Sequence, residues 1–511
     1  MKKASFAHAE LWIAVLLIGG VLLSRWFCRA SMLTNFDAVN YVLAVEQFDV
    51  RLHQTQPPGY FLYIAGARLV NLFVRNPLEA LTIFSTLASA LGAWFVYLAG
   101  RAIFGRRAGL IGAVLLAVST TFWHQGEIAA PYTGDLALSA LAGWLCWRAS
   151  KGQARHALLA ALTLGVAGAY RPQTMFFLGP LLAFALWGRP WKLWLAAGAL
   201  SAASAALLFS PAIFASGGLR GYTGAVFNLT DTTTATHQAS YGYWRYLGYA
   251  ITTAEITFAA LGEALALSVL LGWWGARGQK RENLFLFLWI LPTWAVFCLL
   301  YPGNPGTILV CMPPFFLWAG RGYDALLAAA TPGTAAVRRA WIGRVLLGAV
   351  LAWQVWLFTG MPYNGLPHRL VDSADALDLS QRYFATTLSM IAELPAAETL
   401  VLTSNYRHIQ YYLPAYAACA QPAMRADAPA TIQKVTCVQD GRVRVRRDLP
   451  AGQFVPAGTR YVAFLDIPPE AIPASAAWLE TRRRGEFSIW IIEIPTGRHP
   501  VWQADGLVLT P

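Results

Sequence analysis

Residues 35–63 form a polar stretch in an otherwise apolar chain, and they contain groups that can transfer protons. Asp37 lies near its start, His53 follows a short helical run, and a Pro-Pro-Gly-Tyr sequence ending at Tyr60 closes it. A carboxylate within hydrogen-bond reach can remove the proton from a hydroxyl group as that hydroxyl attacks an electrophile. A lone loop aspartate is also common as a helix cap, so the surrounding elements must decide between these interpretations.

Other polar side chains stand beside apolar runs. Glu127 and Asp135 precede the run at 136–147, and a carboxylate at that depth costs about 2.5–3.5 kcal/mol to insert. They are candidate contacts for a substrate or a metal ion, or alternatively caps of a helix start. Arg171, which ends the run at 157–170, is a candidate partner for a phosphate or carboxylate, unless it only snorkels to the membrane surface.

The elements that must position these groups are membrane helices. Of the 511 residues, 57% are hydrophobic and 13% charged, and the mean hydropathy is +0.45, which is typical of membrane proteins. A helix needs about 20 apolar residues to cross a bilayer. Eleven runs approach that length: 11–27, 78–99, 108–122, 136–147, 157–170, 175–187, 193–212, 251–274, 284–301, 307–319 and 341–360.

Basic residues predict the orientation, because short cytoplasmic loops retain Lys and Arg. They fall in alternate gaps between the runs, which places the amino terminus inside and the carboxyl terminus outside. The segment 58–73 is apolar but interrupted by Arg68, and we expect an amphipathic helix on the outer membrane surface there. Arg171 is an exception to the alternation. The net charge of +13 follows from this topology, so nucleic-acid binding is not expected.

Two extramembrane regions remain. The segment 213–249 is predicted as the largest outer loop, and it contains His237 and Arg245 among many aromatic residues. From 361 the composition becomes mixed, with strands predicted at 399–402, 461–465 and 487–494 and a helix at 406–413. We therefore predict a polytopic α-helical membrane region, 1–360, and a small extracytoplasmic α/β domain, 361–511. Cys419 and Cys437 could form a disulfide there.

Several chemistries lack their sequence signals. The chain contains no Gly-x-x-x-x-Gly-Lys, no His-Glu-x-x-His and no Cys-x-x-Cys, and no internal repeat of the transporter kind is evident. Nucleotide chemistry in a soluble domain is therefore unsupported.

Taken together, these features resemble the GT-C superfamily of membrane glycosyltransferases. The shared pattern is an Asp in the first outer loop, a following Pro-Pro-Gly-Tyr, a basic exit from the fifth span, a His before aromatic residues, a Pro-Gly turn before the tenth span and an outer domain. Within the superfamily the chain is similar to the branch of protein O-mannosyltransferases and the lipid A aminoarabinose transferase. The resemblance covers roughly residues 10–360.

The resemblance implies roles for individual residues. Asp37 would be the general base, and Tyr60 would belong to the segment that starts the family's junction helix. His237 would help to bind a metal ion or the donor phosphate, and Arg171 and Arg245 would hold that phosphate.

The chain also departs from the family pattern. The mannosyltransferases have two adjacent acids where this chain has only Asp37, and the lipid A enzyme has a metal-binding Glu where this chain offers His53. Dependence on a divalent metal ion therefore stays open, and no other cofactor is expected.

The predicted function is transfer of a sugar, hexose or pentose, from a polyprenyl-phosphate carrier to an acceptor hydroxyl outside a bacterial inner membrane. The acceptor could be a lipid, a polysaccharide or a protein. An alternative is a transporter or flippase for lipid-linked saccharides, which predicts charged residues near mid-membrane rather than at the outer ends of the spans. A membrane-anchored scaffold would not explain the number of spans.

Overall fold

The structure is a computed structural model that describes residues 2–328, 334–362, 372–425, 428–439, 441–466, 479–503 and 506–510. The chain divides into two compact units. The first unit contains Met1–Ser31 and Ala44–Leu377, and the second contains Met32–Leu43 and Asp378–Pro511. The short segment 32–43, which includes Asp37, thus belongs to the unit formed mainly by the carboxyl-terminal residues.

The first unit is helical. Helix starts follow local signals, as at α4, where the Asn76 side chain accepts a hydrogen bond from the Glu79 amide and Pro77 occupies the first turn. The helices are α1 (Lys2–Cys28), α2 (Phe36–Glu46, shared with the second unit), α3 (Phe61–Val74), α4 (Pro77–Ile103), α5 (Arg106–Ala117), α6 (Thr120–Gln125), α7 (Tyr132–Ser150), α8 (Ala154–Tyr170), α9 (Pro172–Leu186), α10 (Trp191–Ala215), α11 (Gly218–Tyr241), α12 (Arg245–Leu261), α13 (Glu263–Gly275), α14 (Lys280–Leu299), α15 (Pro313–Leu327) and α16 (Thr334–Thr359).

The predicted count of eleven spans is not confirmed. Within the described residues, five helices are long and apolar enough to cross a membrane, in α1, α4, α10, α14 and α16. A sixth span would be α12 and α13 together, which bend by 94° at Gly262. Gly262 has a φ of 70°, a value that glycine adopts without strain. An apolar run therefore predicts where a helix lies better than where it breaks.

The helices of the first unit surround one apolar core. Its largest fully buried side chains include Trp147, Trp289, Phe122 and Phe316. Close approach of α13 and α15 depends on glycine, because a Cβ on Gly322 would lie 2.6 Å from the backbone nitrogen of Gly272. Small residues are the usual means by which membrane helices pack closely.

Two predictions for surface segments have different outcomes. The amphipathic segment 58–73 contains the 14-residue helix α3, too short to be among the candidate spans. The segment 213–249, predicted as a loop, instead contains α11. No proline occurs between Gly218 and Tyr241, so nothing in this polar stretch prevents a helix.

The second unit is built on an eight-stranded mixed sheet. The strands are β1 (Thr399–Leu402), β2 (Ala417–Cys419), β3 (Ala423–Arg425), β4 (Ala428–Gln439), β5 (Arg442–Pro450), β6 (Tyr461–Phe464), β7 (Leu479–Arg484) and β8 (Phe487–Glu493), with a separate hairpin of β9 (His499–Gln503) and β10 (Gly506–Thr510). The strands of the sheet follow the order β3-β4-β2-β1-β6-β8-β7, and β5 pairs with β4. β1 is parallel to β2 and β6, and the other pairs in the sheet are antiparallel.

Helices α17 (Ala374–Ile391) and α18 (Tyr406–Tyr412) complete this unit. The three predicted strands and the helix at 406–413 are confirmed, and Cys419 forms the disulfide with Cys437. Short apolar runs of the sheet interior were recognisable, whereas β4 and β5, rich in polar and basic residues, were not predicted. The assignment of 1–360 to catalysis and 361–511 to an outer domain stays a prediction.

Candidate active site

Arg171 lies at a break between two helices, and the next residue explains the break. The ring of Pro172 excludes its predecessor from the helical region, so Arg171 adopts an extended conformation with φ −152° and ψ 111°. Helix α8 therefore ends at Tyr170 and α9 starts at Pro172. Arg171 lies at the amino-terminal end of α9, where the helix dipole also favours anions.

Asp135 is the partner of Arg171 inside the first unit. Arg171 Nη1 donates to Asp135 Oδ2 at 3.1 Å, and Thr174 Oγ1 donates to Asp135 Oδ1 at 2.6 Å. Arg171 is only 5% exposed and Asp135 only 1%. Both oxygens of Asp135 are thus used within the protein, and the carboxylate fixes the guanidinium in place.

Tyrosine side chains surround this ion pair. Tyr170 donates its hydroxyl proton to the carbonyl of Pro131 at 2.6 Å. The rings of Tyr60 and Tyr132 meet edge to face, with centroids 6.4 Å apart, and both residues interact electrostatically with Arg171. Tyr60 directly precedes the first residue of α3 and has a φ of 43°. The Pro-Pro-Gly-Tyr turn therefore places the Tyr60 ring against Tyr132.

The Pro-Gly turn that precedes residue 307 contacts Tyr132 and completes the group of residues around the Arg171–Asp135 pair. Asn304 Nδ2 donates to the Tyr132 hydroxyl at 3.3 Å. Gly306 lies directly against the same ring, because a Cβ there would be 2.0 Å from Tyr132 Cδ2. The structure therefore brings together Tyr60, Asp135, Arg171 and the Pro-Gly turn, which the sequence had singled out separately.

Asp37 belongs to the second unit. It occupies the first turn of α2, whose start is capped by Asn35: its Oδ1 accepts the Ala38 amide at 2.8 Å. The side chain is half-buried, and burial raises the pKa of this carboxyl to about 6. A carboxyl that titrates near neutral pH is well matched to general-base work.

His53 and Glu127 lie in the first unit in different surroundings. His53 is exposed and ends a short 3₁₀ turn, with φ 55°. Glu127 is fully buried near Arg25 and Trp123. Arg25 packs over Trp123, with its Cζ 4.8 Å from the ring centroid. Burial raises the pKa of Glu127, which the charge of Arg25 partly offsets.

The remaining candidates come from the segment after α10. His237 falls within α11, and its side chain lies outside the described part of the structure. Arg245 begins α12, and its Nη2 donates to the hydroxyl of the adjacent Tyr246 at 2.7 Å. Their roles in donor binding stay predictions.

The segment that contains Arg171 and Asp135 matches a known protein family. Residues 55–214 match the family model of the dolichyl-phosphate-mannose-protein mannosyltransferases. That match includes Tyr60, Glu127, Asp135 and Arg171, whereas Asp37 precedes it. The fold is similar to ArnT from Cupriavidus metallidurans in the apo state, with 13% identity, a TM-score of 0.54, and coverage of 95% of this chain and 98% of that one.

The fold is also similar to the Archaeoglobus fulgidus oligosaccharyltransferase in the apo form. The identity is 13%, the TM-score is 0.50, and the alignment covers 79% of this chain and 63% of that one. The resemblance to the GT-C membrane glycosyltransferases is confirmed. A search of curated proteins finds no match.

The GT-C relatives raise the question of a metal ion, and the described residues do not fit one. No group of three or more His, Cys, Asp or Glu side chains among them is arranged to hold a metal. Asp135 is already held by Arg171 and Thr174. We therefore derive no step through a metal ion.

Several residues around the Arg171–Asp135 pair were not predicted. Tyr132, Tyr170 and Thr174 were not chosen as site residues, because nothing local distinguishes them from other polar groups at helix ends. Arg68, noted only as an interruption of an apolar run, donates to the carbonyls of Ala44 and Val45 at 2.9 Å each. Arg68 thereby caps the carboxyl end of α2, and a basic residue within an apolar segment was its signal.

Proposed function

We propose that this protein transfers a sugar from a polyprenyl-phosphate carrier to an acceptor hydroxyl on the outer face of a bacterial inner membrane. The observation that carries the proposal is the buried Arg171–Asp135 centre, which lies inside the segment that matches the dolichyl-phosphate-mannose-protein mannosyltransferases. Dolichyl phosphate is itself a polyprenyl phosphate. The amino terminus would lie in the cytoplasm and the second unit outside it, in the orientation that the basic residues predict.

Arg171 is the proposed partner of the donor phosphate. Its Nη1 is held by Asp135, whereas its buried Nε has no hydrogen-bond partner in the described part of the chain. The guanidinium thus keeps donor capacity for an anion, and negative charge develops on the phosphate as the sugar leaves. Tyr60 lies beside Arg171, and we propose His237 and Arg245 as further donor contacts.

Asp37 is the proposed general base. Its carboxylate accepts the proton of the acceptor hydroxyl while the oxygen forms a bond to the anomeric carbon. The bond from that carbon to the phosphate oxygen breaks, and the phosphate leaves with the electron pair. Because one displacement occurs, the anomeric configuration inverts. His53, Glu127 and Asp135 need no direct role in this step.

The acceptor is a hydroxyl-bearing lipid, polysaccharide or protein, and the sugar is a hexose or pentose. The tyrosines around Arg171 are side chains of a kind that suits a sugar ring, since aromatic faces pack against its C–H groups while the hydroxyls form hydrogen bonds. The surrounding apolar helices suit the polyprenyl chain and membrane lipids.

Purified protein in proteoliposomes tests the proposal. With labelled polyprenyl-phosphate sugar supplied together with extracted envelope acceptors, the wild type should yield new glycosidic product. Asp37→Asn should insert normally but form none. Glu46→Gln is the matched control, since Glu46 is an exposed carboxylate at the other end of α2 and its loss should leave the rate unchanged.

The same experiment addresses the transporter hypothesis. Movement of labelled donor across the bilayer without product, in both the wild type and Asp37→Asn, would contradict the transferase assignment. Product formation by Asp37→Asn at the wild-type rate would remove Asp37 from the mechanism.

A further inference from the structure

The segment that carries Asp37 is fixed by helices from the other end of the chain. Residues 32–43 belong to the second unit together with residues 378–511. The Leu33 amide donates to the Tyr412 hydroxyl at 3.0 Å, and the Met32 amide donates to Gln381 Oε1 at 3.3 Å. Leu33 and Met32 lie four and five residues before Asp37.

Aromatic and apolar contacts add to the hydrogen bonds. The rings of Phe36 and Tyr406 meet edge to face, with centroids 5.3 Å apart. Met32 packs against the apolar cluster that includes Phe384 and Ile409. Leu33 itself is 1% exposed. The residue directly before Asp37 and the turn that leads to it are therefore both held by side chains of α17 and α18.

Helix α18 is held in place because hydrogen bonds connect the residues at its start to the end of a strand. Asp466, which follows β6, accepts hydrogen bonds from the Ser404 amide at 3.0 Å and from Asn405 Nδ2 at 2.9 Å. Near its end, Gln410 Nε2 donates to the carbonyl of Gly441 at 2.9 Å. Because α18 is hydrogen-bonded near both ends, it can hold the segment that packs against it in one position.

We propose that Tyr412 and Tyr406 are positioning residues for the proton-accepting side chain at the start of α2. Tyr412 fixes the backbone at Leu33, and Tyr406 fixes Phe36, the first residue of α2. The Asn35 cap then sets the direction of the helix and so of Asp37. The carboxyl-terminal residues thereby contribute to sugar transfer by holding the segment that leads to Asp37. This inference rests on the proposed role of Asp37 as the base.

The geometry distinguishes this role from general stabilisation of the domain. Tyr412 and Tyr383 both lie on helices of the second unit and both use their hydroxyl in a hydrogen bond to the main chain. The Tyr412 hydroxyl accepts from the segment that leads to Asp37, whereas the Tyr383 hydroxyl donates to the carbonyl of Leu465 at 3.1 Å. Replacing each by Phe removes one such bond and keeps the ring.

Tyr412→Phe is expected to lower kcat about tenfold, because small displacements of a reacting group reduce rates steeply. The KM for the labelled polyprenyl-phosphate sugar should stay within about twofold, since donor contacts are elsewhere. The acid limb of the pH–rate profile should move down by about one unit as the Asp37 carboxyl becomes more hydrated. Tyr383→Phe should change none of these.

Hydrogen exchange gives a readout independent of catalysis. In full-length protein, the peptide that contains the Leu33 amide should exchange at least about tenfold faster in Tyr412→Phe, and not in Tyr383→Phe. Tyr406→Phe, which keeps the ring against Phe36, should retain the kcat that Tyr406→Ala loses.

Two outcomes separate the possible failures. If Asp37→Asn is inactive but Tyr412→Phe keeps the wild-type kcat, pH profile and exchange rate, the positioning inference is wrong and the proposed function stands. If Asp37→Asn forms product at the wild-type rate, the role of Asp37 as the base and the positioning inference are both wrong, whatever Tyr412→Phe does, whereas the assignment as a sugar transferase stands.

Discussion

Arg171 and Asp135 form an ion pair of 3.1 Å within the first unit, and each is almost completely removed from solvent. Such a pair gains little stability by itself, because two charges lose their hydration. Removing one partner is costly, since the other is left as a buried charge. The pair is therefore better explained as a means of holding the Arg171 guanidinium in one orientation.

Asp135→Asn should reveal the free-energy cost of leaving Arg171 as a buried charge without its partner. The amide keeps the size of the side chain but leaves Arg171 without a counter-charge, so the free energy of unfolding should fall by about 3–5 kcal/mol. Thermal unfolding in detergent, followed by tryptophan fluorescence, measures it. Asp378→Asn is the control: this carboxylate pairs with Arg382 on the exposed surface, and its loss should leave the melting temperature nearly unchanged. Equal melting temperatures for the two variants would contradict the assigned role.

The pH dependence of transfer should follow Asp37. Burial raises the pKa of this carboxyl to about 6, and only the ionised form accepts a proton. The rate should therefore rise as the pH increases through about 6 and reach about a tenth of its plateau near pH 5. Measurement of kcat/KM from pH 4.5 to 8 tests this, and an acid limb near pH 4 would show that the base is not a buried carboxyl.

Gly306→Ala should disturb the centre through Tyr132. The added methyl would lie 2.0 Å from the ring, so the ring or the turn must move, at a cost of about 1–3 kcal/mol. Product formation should fall together with the melting temperature. Gly179→Ala in α9 provides the comparison, because nothing lies within 4 Å of a Cβ there. A Gly306→Ala protein as active and stable as Gly179→Ala would disprove this packing argument.

His408 should make the second unit sensitive to acid. The imidazole is fully buried and stacks on Phe384 with centroids 3.9 Å apart, and burial lowers its pKa from 6.5 to about 4. The unfolded chain binds a proton at higher pH than the folded one. The stabilising contribution is therefore complete above pH 6.5 and is lost as the pH falls toward 4, on the order of 3 kcal/mol in all.

A pH series of melting temperatures with His408→Phe tests that expectation. The variant retains an aromatic ring against Phe384 but cannot titrate, so its melting temperature should fall less steeply between pH 6.5 and 4 than that of the wild type. Parallel curves would show that the acid sensitivity comes from other groups.

Much of the architecture is local and could be predicted. Short apolar runs of β-branched and aromatic residues predicted β1, β6 and β8, and the proline at 172 explains why Arg171 interrupts the helical path. The number of membrane spans was harder to predict from the sequence. A bend such as that at Gly262, or the short helices α5 and α6 in place of one long run, depends on packing that hydropathy does not record.

The class of protein, the position of the chemically capable residues and the family they resemble can be inferred from the sequence, because composition, periodicity and turn residues act over a few neighbouring positions. Which of those residues meet depends on the packing of distant elements. Arg171 contacts Asp135 across 36 residues, Asn304 contacts Tyr132 across 172, and Leu33 contacts Tyr412 across 379. Such pairings depend on how distant elements pack, and no local pattern of residues encodes them.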